Sequence, residues 1–137
     1  MIRRMRLKDE RAVLALATLC HPGEPAKAAR WYSHEHRTLV YERDGAIIGY
    51  TTYGMTPDHH AFGRDVGVHP DWRGKGIGGE LHGHRLIEAK ERGAVAFVGI
   101  TPASNPSMVK ILEGWGGLKT IATAEGDCYV NTLGEEV

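Results

Sequence analysis

Between Asp65 and Leu81 the chain reads Asp65-Val66-Gly67-Val68-His69-Pro70-Asp71-Trp72-Arg73-Gly74-Lys75-Gly76-Ile77-Gly78-Gly79-Glu80-Leu81. A strand-like stretch stops at Pro70, and four glycines, Gly74, Gly76, Gly78 and Gly79, stand where a helix begins. Glycine is costly in a helical turn unless backbone must come close to something. The first-turn amides of a helix lack partners and its dipole adds about +0.5 charge at that end, so the point suits an anion. Arg73 and Lys75 add positive charge there. Together these residues describe a cradle for a phosphate or pyrophosphate.

Two nucleotide-binding patterns compete for the same residues. Gly74-Lys75-Gly76-Ile77-Gly78-Gly79 satisfies G-x-G-x-x-G, the dinucleotide fingerprint. That fingerprint needs its first glycine directly after the strand and a carboxylate about 20 residues on. Here Pro70-Asp71-Trp72-Arg73 intervenes, and the next strand ends Gly99-Ile100-Thr101-Pro102. An ATP-type P-loop fails because no Gly-Lys-Ser/Thr stands at the required spacing.

Eight histidines raise the question of a metal. His34/His36 and His82/His84 lie two apart on expected helices and therefore diverge by about 200°. His59-His60 has no third ligand nearby, so no metal is expected. His84 shares a helical stripe with Ile77 and Leu81 and reads as a partly buried, hydrogen-bonded histidine. Cys20 and Cys128 are too few for a disulfide framework or a zinc site,, and both read as reduced, inert thiols.

The elements that must position the glycine turn follow from local punctuation. Ile2–Leu7 is a short strand, and Asp9 is placed to cap a helix bearing Val13, Leu14, Leu16, Ala17 and Cys20 at helical spacing,. His21-Pro22-Gly23 ends it, and Pro25 opens a second helix through Trp31 and Tyr32 to about His36,. Thr38–Arg43 and Ala46–Thr52 are strands joined by Asp44-Gly45, a tight hairpin turn,. Met55–His60 is a polar loop, and Phe62–His69 is a strand stopped by Pro70,. Gly74–Arg92 is a long helix closed by Gly93,. Ala94–Ile100 has the continuous apolar character of a strand buried on both faces,. Asn105-Pro106 starts a helix that Gly114, Gly116 and Gly117 end, and Leu118–Thr123 and Asp127–Leu133 are the last strands,. The sum is an α/β (α+β) chain: a mixed sheet of about seven strands with about four helices.

Composition bounds what such a chain can do. The 137 residues are one domain's worth, with 17 Lys+Arg against 17 Asp+Glu and a net charge of zero,. That neutrality removes the basic field of sequence-independent nucleic-acid binding or anionic-membrane binding. No apolar run approaches the ~20 residues of a membrane span, and Met1-Ile2-Arg3-Arg4-Met5-Arg6 lacks a signal peptide's apolar stretch,. A cytoplasmic protein with neither nucleic-acid nor membrane partners is expected.

At Arg73-x-x-Gly76-x-Gly78, preceded by Val66-x-Val68-x-Pro70 and followed by Ile77 and Leu81, the sequence resembles the GNAT N-acetyltransferase superfamily. The likeness extends over the whole element order, including the two helices before the first hairpin and Asn105 at the late helix. It implies a sheet whose middle strands splay apart to hold acetyl-CoA (coenzyme A in acylated form) and an amine acceptor. By that likeness the backbone of Val66 and Val68 pairs with the pantetheine arm, and the Val68 amide faces the thioester carbonyl. The amides of Arg73, Gly74, Lys75, Gly76, Gly78 and Gly79 hold the pyrophosphate, and Asn105 reaches the pantetheine from the far side. A homodimer through Leu118–Leu133 is also implied. The expected activity is acetyl transfer to a primary amine of a small molecule or peptide by direct attack in a ternary complex. The alternative is a fold relative that holds acyl-CoA without turnover.

That alternative is raised by departures from the pattern. Where many relatives carry an acidic tyrosine, this chain has Leu112; where some carry a glutamate before the asparagine, it has Val98-Gly99-Ile100. The proton donor is then water, Ser107 or Tyr129, or is absent. An ammonium acceptor must lose a proton before it can attack. His60, alternating onto the side of Val66 and Val68, is a candidate base. Asp65 is a second, although alternation turns it to the opposite face, where a cap or ion pair is its ordinary role. Trp31 and Tyr32 are expected to pack the second helix on the sheet; by the family likeness, in which the loop between the first two helices takes the acceptor, they and Cys20–Glu24 also line that pocket,.

Overall fold

The computed structural model describes residues 1–22 and 36–134. The expected second helix, with Pro25, Trp31, Tyr32 and His34, falls outside the described residues apart from its end at His36. Among them, seven strands form one sheet in the order β1-β2-β3-β4-β5-β7-β6. The strands are β1 (Ile2–Arg4), β2 (His36–Arg43), β3 (Ala46–Met55), β4 (His60–Val68), β5 (Ala96–Thr101), β6 (Leu118–Thr123) and β7 (Gly126–Thr132). The helices are α1 (Glu10–Cys20), α2 (Ile77–Glu91) and α3 (Pro106–Gly114). All neighbouring strands are antiparallel except β4 and β5.

Local chemistry sets most boundaries. Asp44 and Gly45 both take positive φ, 52° and 81°, the left-handed pair that a two-residue hairpin needs. Gly93 ends α2 at φ 92°, and the Asn105 side chain accepts from the Met108 N–H at the start of α3. His36 opens β2 instead of ending a helix, because it pairs with Gly54 in the hairpin. β5 is not buried on both faces: Phe97, Gly99 and Thr101 are covered while Ile100 stays 45% exposed. The apolar run there serves one covered face and one open one.

The two faces carry different helices. α1 lays Val13, Leu16 and Ala17 on Val40 and Tyr50. On the other side α2 sets Ile77 and Leu81 on Ile48, and Leu86 and Ala89 on Tyr53, Ala61 and Phe97. This second contact also buries charge. The Glu88 carboxylate accepts from the Tyr53 hydroxyl at 2.9 Å and from Arg4 Nε at 2.6 Å, tying α2 to β3 and β1. His84, expected to be partly buried, is exposed; His82 is the buried one. The covered stripe of α2 continues from Leu81 to Arg85, Glu88 and Ala89, one position away from His84,.

Asp9 does not cap α1. Its carboxylate accepts two hydrogen bonds from the Arg3 guanidinium, at 2.6 and 3.0 Å, and one from the Arg6 N–H at 2.8 Å. Arg3 also pairs with Glu42, so β1, β2 and the start of α1 share one cation. The Arg3 hydrogen bonds outweigh burial and hold the Asp9 carboxyl well below its ordinary value. Its contribution to stability is therefore complete at neutral pH and is lost as pH falls below the unfolded value of about 4. Asp9→Asn is expected to destabilise the protein at pH 7, and the gap from wild type should narrow as pH falls below about 4 in urea titrations.

Candidate functional site

The site begins where two strands part. β4 pairs with β5 only over His60–Phe62, opposite Ala96–Val98, and the strands diverge beyond that point. β3 covers the other edge of β4 throughout. The His69 N–H donates to the Ile48 carbonyl at 2.8 Å, and strand alternation then turns the backbone groups of Val66 and Val68 toward the opening. Two of these are already held: Val66 N–H by Asp65 Oδ1 at 2.9 Å, and the Val68 carbonyl by Arg73 Nε at 3.0 Å. The Val68 N–H and the Val66 carbonyl stand on the same edge.

The glycine turn closes one end of the opening. A short 3-10 turn, Pro70–Trp72, leads to Gly74 and Gly76 at φ 77° and 81°, and a Cβ at either would meet nothing within 4 Å. Backbone conformation, not space, requires glycine there. No side chain caps α2, whose first residues are Ile77, Gly78 and Gly79, so the first-turn amides point out of the helix end. The Arg73 N–H is instead engaged by the Pro70 carbonyl at 3.4 Å. The Lys75 ammonium stands over the Trp72 ring, 5.0 Å from its centroid, and Ile77 is buried against Ile48 and Leu81.

A groove of ≈ 690 Å³ runs from this turn along the parted strand to α3, with Asn105, Ser107, Ile111 and Trp115 on its far wall. Ser107 is exposed there, whereas Leu112 is buried on Gly99 and Tyr129 is buried in β7. Trp115 lies across Gly83 so closely that a Cβ there would sit 2.3 Å from the ring. Cys20 Sγ reaches the Val68 carbonyl at 3.5 Å, and burial pushes its thiol up, keeping it protonated at neutral pH.

A second cavity, ≈ 310 Å³, opens on the same parting, with Asp65, Arg64, Arg85 and Gly99–Pro102 in its walls. His21, Val66, Asn105 and Met108 line both spaces. His21 Nε2 lies 2.8 Å from Asp65 Oδ1, and the Tyr50 hydroxyl donates to Oδ2 of the same carboxylate. Arg85 is 2% exposed; it donates to the Thr52 carbonyl at 3.0 Å and to His82 Nδ1 at 2.9 Å. Burial, with Arg85 beside it, pushes the His82 imidazole down to about 3, so it stays neutral. Among the described residues no group of three His, Cys, Asp or Glu side chains could hold a metal ion.

His60 is not at the site. It opens β4 at the end remote from Val68, exposed, opposite Ala96. Its face is also reversed, because Gly63 pairs with Tyr53 and Asp65 with Thr52, leaving Arg64 as an extra residue. That bulge inverts the alternation, so His60 shares the α1 side with Asp65 while Val66 and Val68 face α2. His21, not His60, is the histidine that lines the opening. In the sequence it ends the first helix and falls within the Cys20–Glu24 segment expected at the acceptor pocket, but nothing local marks its pairing with Asp65.

The sequence pattern of the acetyltransferase (GNAT) family matches residues 7–116. The chain belongs to that family. This GNAT acetyltransferase is 29% identical over 86 residues to the L-amino acid N-acyltransferase MnaT of Escherichia coli, a match covering 60% of this chain and 50% of that protein. The chain thus spans about half the length of that relative. It superposes on the aminoglycoside 6'-acetyltransferase type Ii with a TM-score of 0.86 at 14% identity, covering 100% of this chain and 99% of that one. The yncA acetyltransferase of Salmonella typhimurium, solved with acetyl-CoA, gives 0.82 at 19%, covering 100% and 95%. The ribosomal-protein-alanine N-acetyltransferase of Brucella melitensis gives 0.79 at 22%, covering 95% and 96%. At these identities the likeness establishes a shared fold.

The glycines of the turn make separable demands. Gly76→Ala places a side chain in the left-handed region and is expected to cost about 1–2 kcal/mol. Gly79 sits in ordinary helix with only Trp115 Nε1 near its Cβ position, at 3.9 Å, so Gly79→Ala should gain about 0.5–1 kcal/mol. Urea denaturation of the two variants reads the opposite signs.

Proposed function

We propose that this protein is an acetyl-CoA-dependent N-acetyltransferase that acylates a primary amine of a small molecule or peptide by direct attack in a ternary complex. The observation that carries this is the parted β4 edge meeting an uncapped helix N-terminus in one groove. A strand edge accepts an amide-rich pantetheine arm as an added strand, and the helix end accepts a pyrophosphate. The residues fit that cosubstrate. The groove volume lies in the range of small-molecule sites, and the open space over Gly74 and Gly76 leaves their backbone reachable. The acceptors named for MnaT, the ribosomal-protein-alanine enzyme and the aminoglycoside enzyme differ widely, yet amino acid, peptide and aminoglycoside all carry primary amines.

In this reading the Val66 and Val68 backbone holds the pantetheine arm. The amides of Gly74, Lys75, Gly76, Gly78 and Gly79 hold the pyrophosphate, joined by Arg73 at the groove wall; Ile77 anchors the helix that presents them. Asn105, its Oδ1 committed to Met108, offers its side-chain N–H groups from across the groove. When bound, acetyl-CoA supplies an acyl carbon activated as a thioester. The Val68 N–H stabilises the negative charge that gathers on the carbonyl oxygen. A thiol has a pKa of about 8.5, so its thiolate leaves without a strong acid; Ser107, or water beside it, suffices to protonate the sulfur. This makes Leu112 compatible with turnover.

Val68→Pro removes the proposed oxyanion donor without taking a β3 ladder bond, because that N–H faces the opening. It is expected to lower kcat by about 10²–10³, with a fall in melting temperature limited to the lost packing of the Val68 side chain on Ile48, Ile77 and Leu81. The broader test is a thermal shift with acetyl-CoA followed by thiol release across an amine library. At about 100 times Kd the cosubstrate should stabilise by about 2.7 kcal/mol. No shift at saturation overturns the reading, and a shift without thiol release from any amine selects acyl-CoA holding without turnover.

A further inference from the structure

We propose that His21, beside Asp65, is the general base that deprotonates the acceptor ammonium, with the ≈ 310 Å³ cavity that it lines at the parted strands seating that amine. The inference rests on the acetyltransferase reading and assigns the step that reading leaves open.

Position is the first ground. The nitrogen must reach an acyl carbon beside the Val68 N–H, and His21 stands at the junction of the groove and the second cavity, lining both. It is fixed there from two directions. Its own N–H donates to the Ala17 carbonyl at 2.8 Å at the end of α1, and the adjacent Cys20 thiol reaches the Val68 carbonyl. Chemistry is the second ground. Among the described residues, the charged or titratable side chains that line these two spaces with His21 are Cys20 of α1, Asp65 and Arg64 of β4, Arg73 after the turn, Arg85 of α2 and Lys110 of α3. The guanidinium and ammonium groups have no lone pair with which to take a proton, and the Cys20 thiol is held protonated. His21 is the group in this set suited to accept a proton near neutral pH.

The groups packed around the imidazole support that role. The Asp65 carboxylate 2.8 Å from Nε2 favours a proton on that nitrogen, which makes Nδ1 the basic atom,. Asp65 is itself fixed by the Tyr50 hydroxyl and the Val66 N–H, and it offsets the charge of the imidazolium that forms. The C-terminal end of the α1 dipole favours the same cation.

The step balances. An ammonium N–H bond breaks, its proton goes to His21 and its electron pair stays on nitrogen. That pair forms the bond to the acyl carbon while the carbon–sulfur bond breaks and its electrons leave with sulfur. The nitrogen releases a second proton as the amide forms, matching the proton the thiolate takes up, and His21 returns its own to solvent.

The test is the pH profile of kcat/KM for wild type, His21→Gln and Asp65→Asn, using the amine that wild type turns over fastest. Wild type should show an ionisation in the histidine range beside that of the amine. His21→Gln should fall at least about 100-fold at pH 7, lose that ionisation and recover toward wild type at pH values where the amine is already neutral. Its stabilisation by acetyl-CoA should be unchanged. Asp65→Asn should shift the ionisation and lose less. A His21→Gln rate within threefold of wild type, a loss equal at every pH, or a wild-type profile without a histidine-range ionisation each overturns the proposal; the last needs no variant to fold. Failure of wild type to release thiol with any amine instead overturns the acetyltransferase reading beneath it.

Discussion

Everything at the site depends on two parallel strands pairing for three residues and then parting. A strand edge left open inside a sheet exposes backbone donors and acceptors that would otherwise need partners. Here the parting is propped by side chains that enter it. The Arg85 guanidinium comes within 3.0 Å of the Cβ position of Gly63 and donates to the carbonyls of Thr52 and Asp65. Leu112 fills the space over Gly99 on β5. A side chain at Gly63 or a bulkier residue at position 99 would compete with those props. The glycines in the two strands are thus as necessary to the opening as those in the turn.

A buried guanidinium is an expensive prop, because removing it from water costs several kcal/mol unless its hydrogen bonds are replaced. Arg85 has two carbonyls, a neutral imidazole and the face of Phe97, 5.0 Å from its centroid. The neutrality of His82 is part of the device, since Nδ1 must keep its lone pair to accept from Arg85. The same helix carries Glu88 under Tyr53 and Arg4. α2 therefore joins the sheet through polar contacts as much as apolar ones, and its N-terminus is held rigidly where the turn presents its amides.

This division explains what was legible in the sequence. Features with a local cause could be read: the Asp44-Gly45 hairpin, the Gly93 stop, the Asn105-Pro106 start and the glycine turn each follow from backbone freedom or a missing N–H. The parting of the strands came only through family likeness, because nothing in Phe62 or Gly63 announces that pairing ends. The bulge at Arg64 left no local mark either, and one uncounted residue was enough to place His60 on the wrong face. Arg85 and His82 were obscure for a different reason. Their burial depends on each other and on β3, so no periodicity of α2 alone could separate His82 from His84. His21 was hidden because its partner lies 44 positions away.

The net charge of zero conceals a polarity that these contacts organise. α2 brings its N-terminus, the positive end of its dipole, to the groove. α1, on the opposite face, brings its C-terminus and His21 to the same parting. Between them, consecutive residues of one strand face opposite ways, Asp65 toward α1 and Val66 toward α2, and the Val66 N–H is tied to the Asp65 carboxylate. β4 thus presents unlike groups on its two faces: the Asp65 carboxylate toward α1, and the apolar Val66 and Val68 toward the N-terminal turn of α2. The extra residue at Arg64 sets which side chain faces which space. Removing it would exchange the faces of the strand on one side of the bulge and set Asp65 against the pairing that now holds it. The bulge is therefore the feature that decides which side chains each face of β4 presents,.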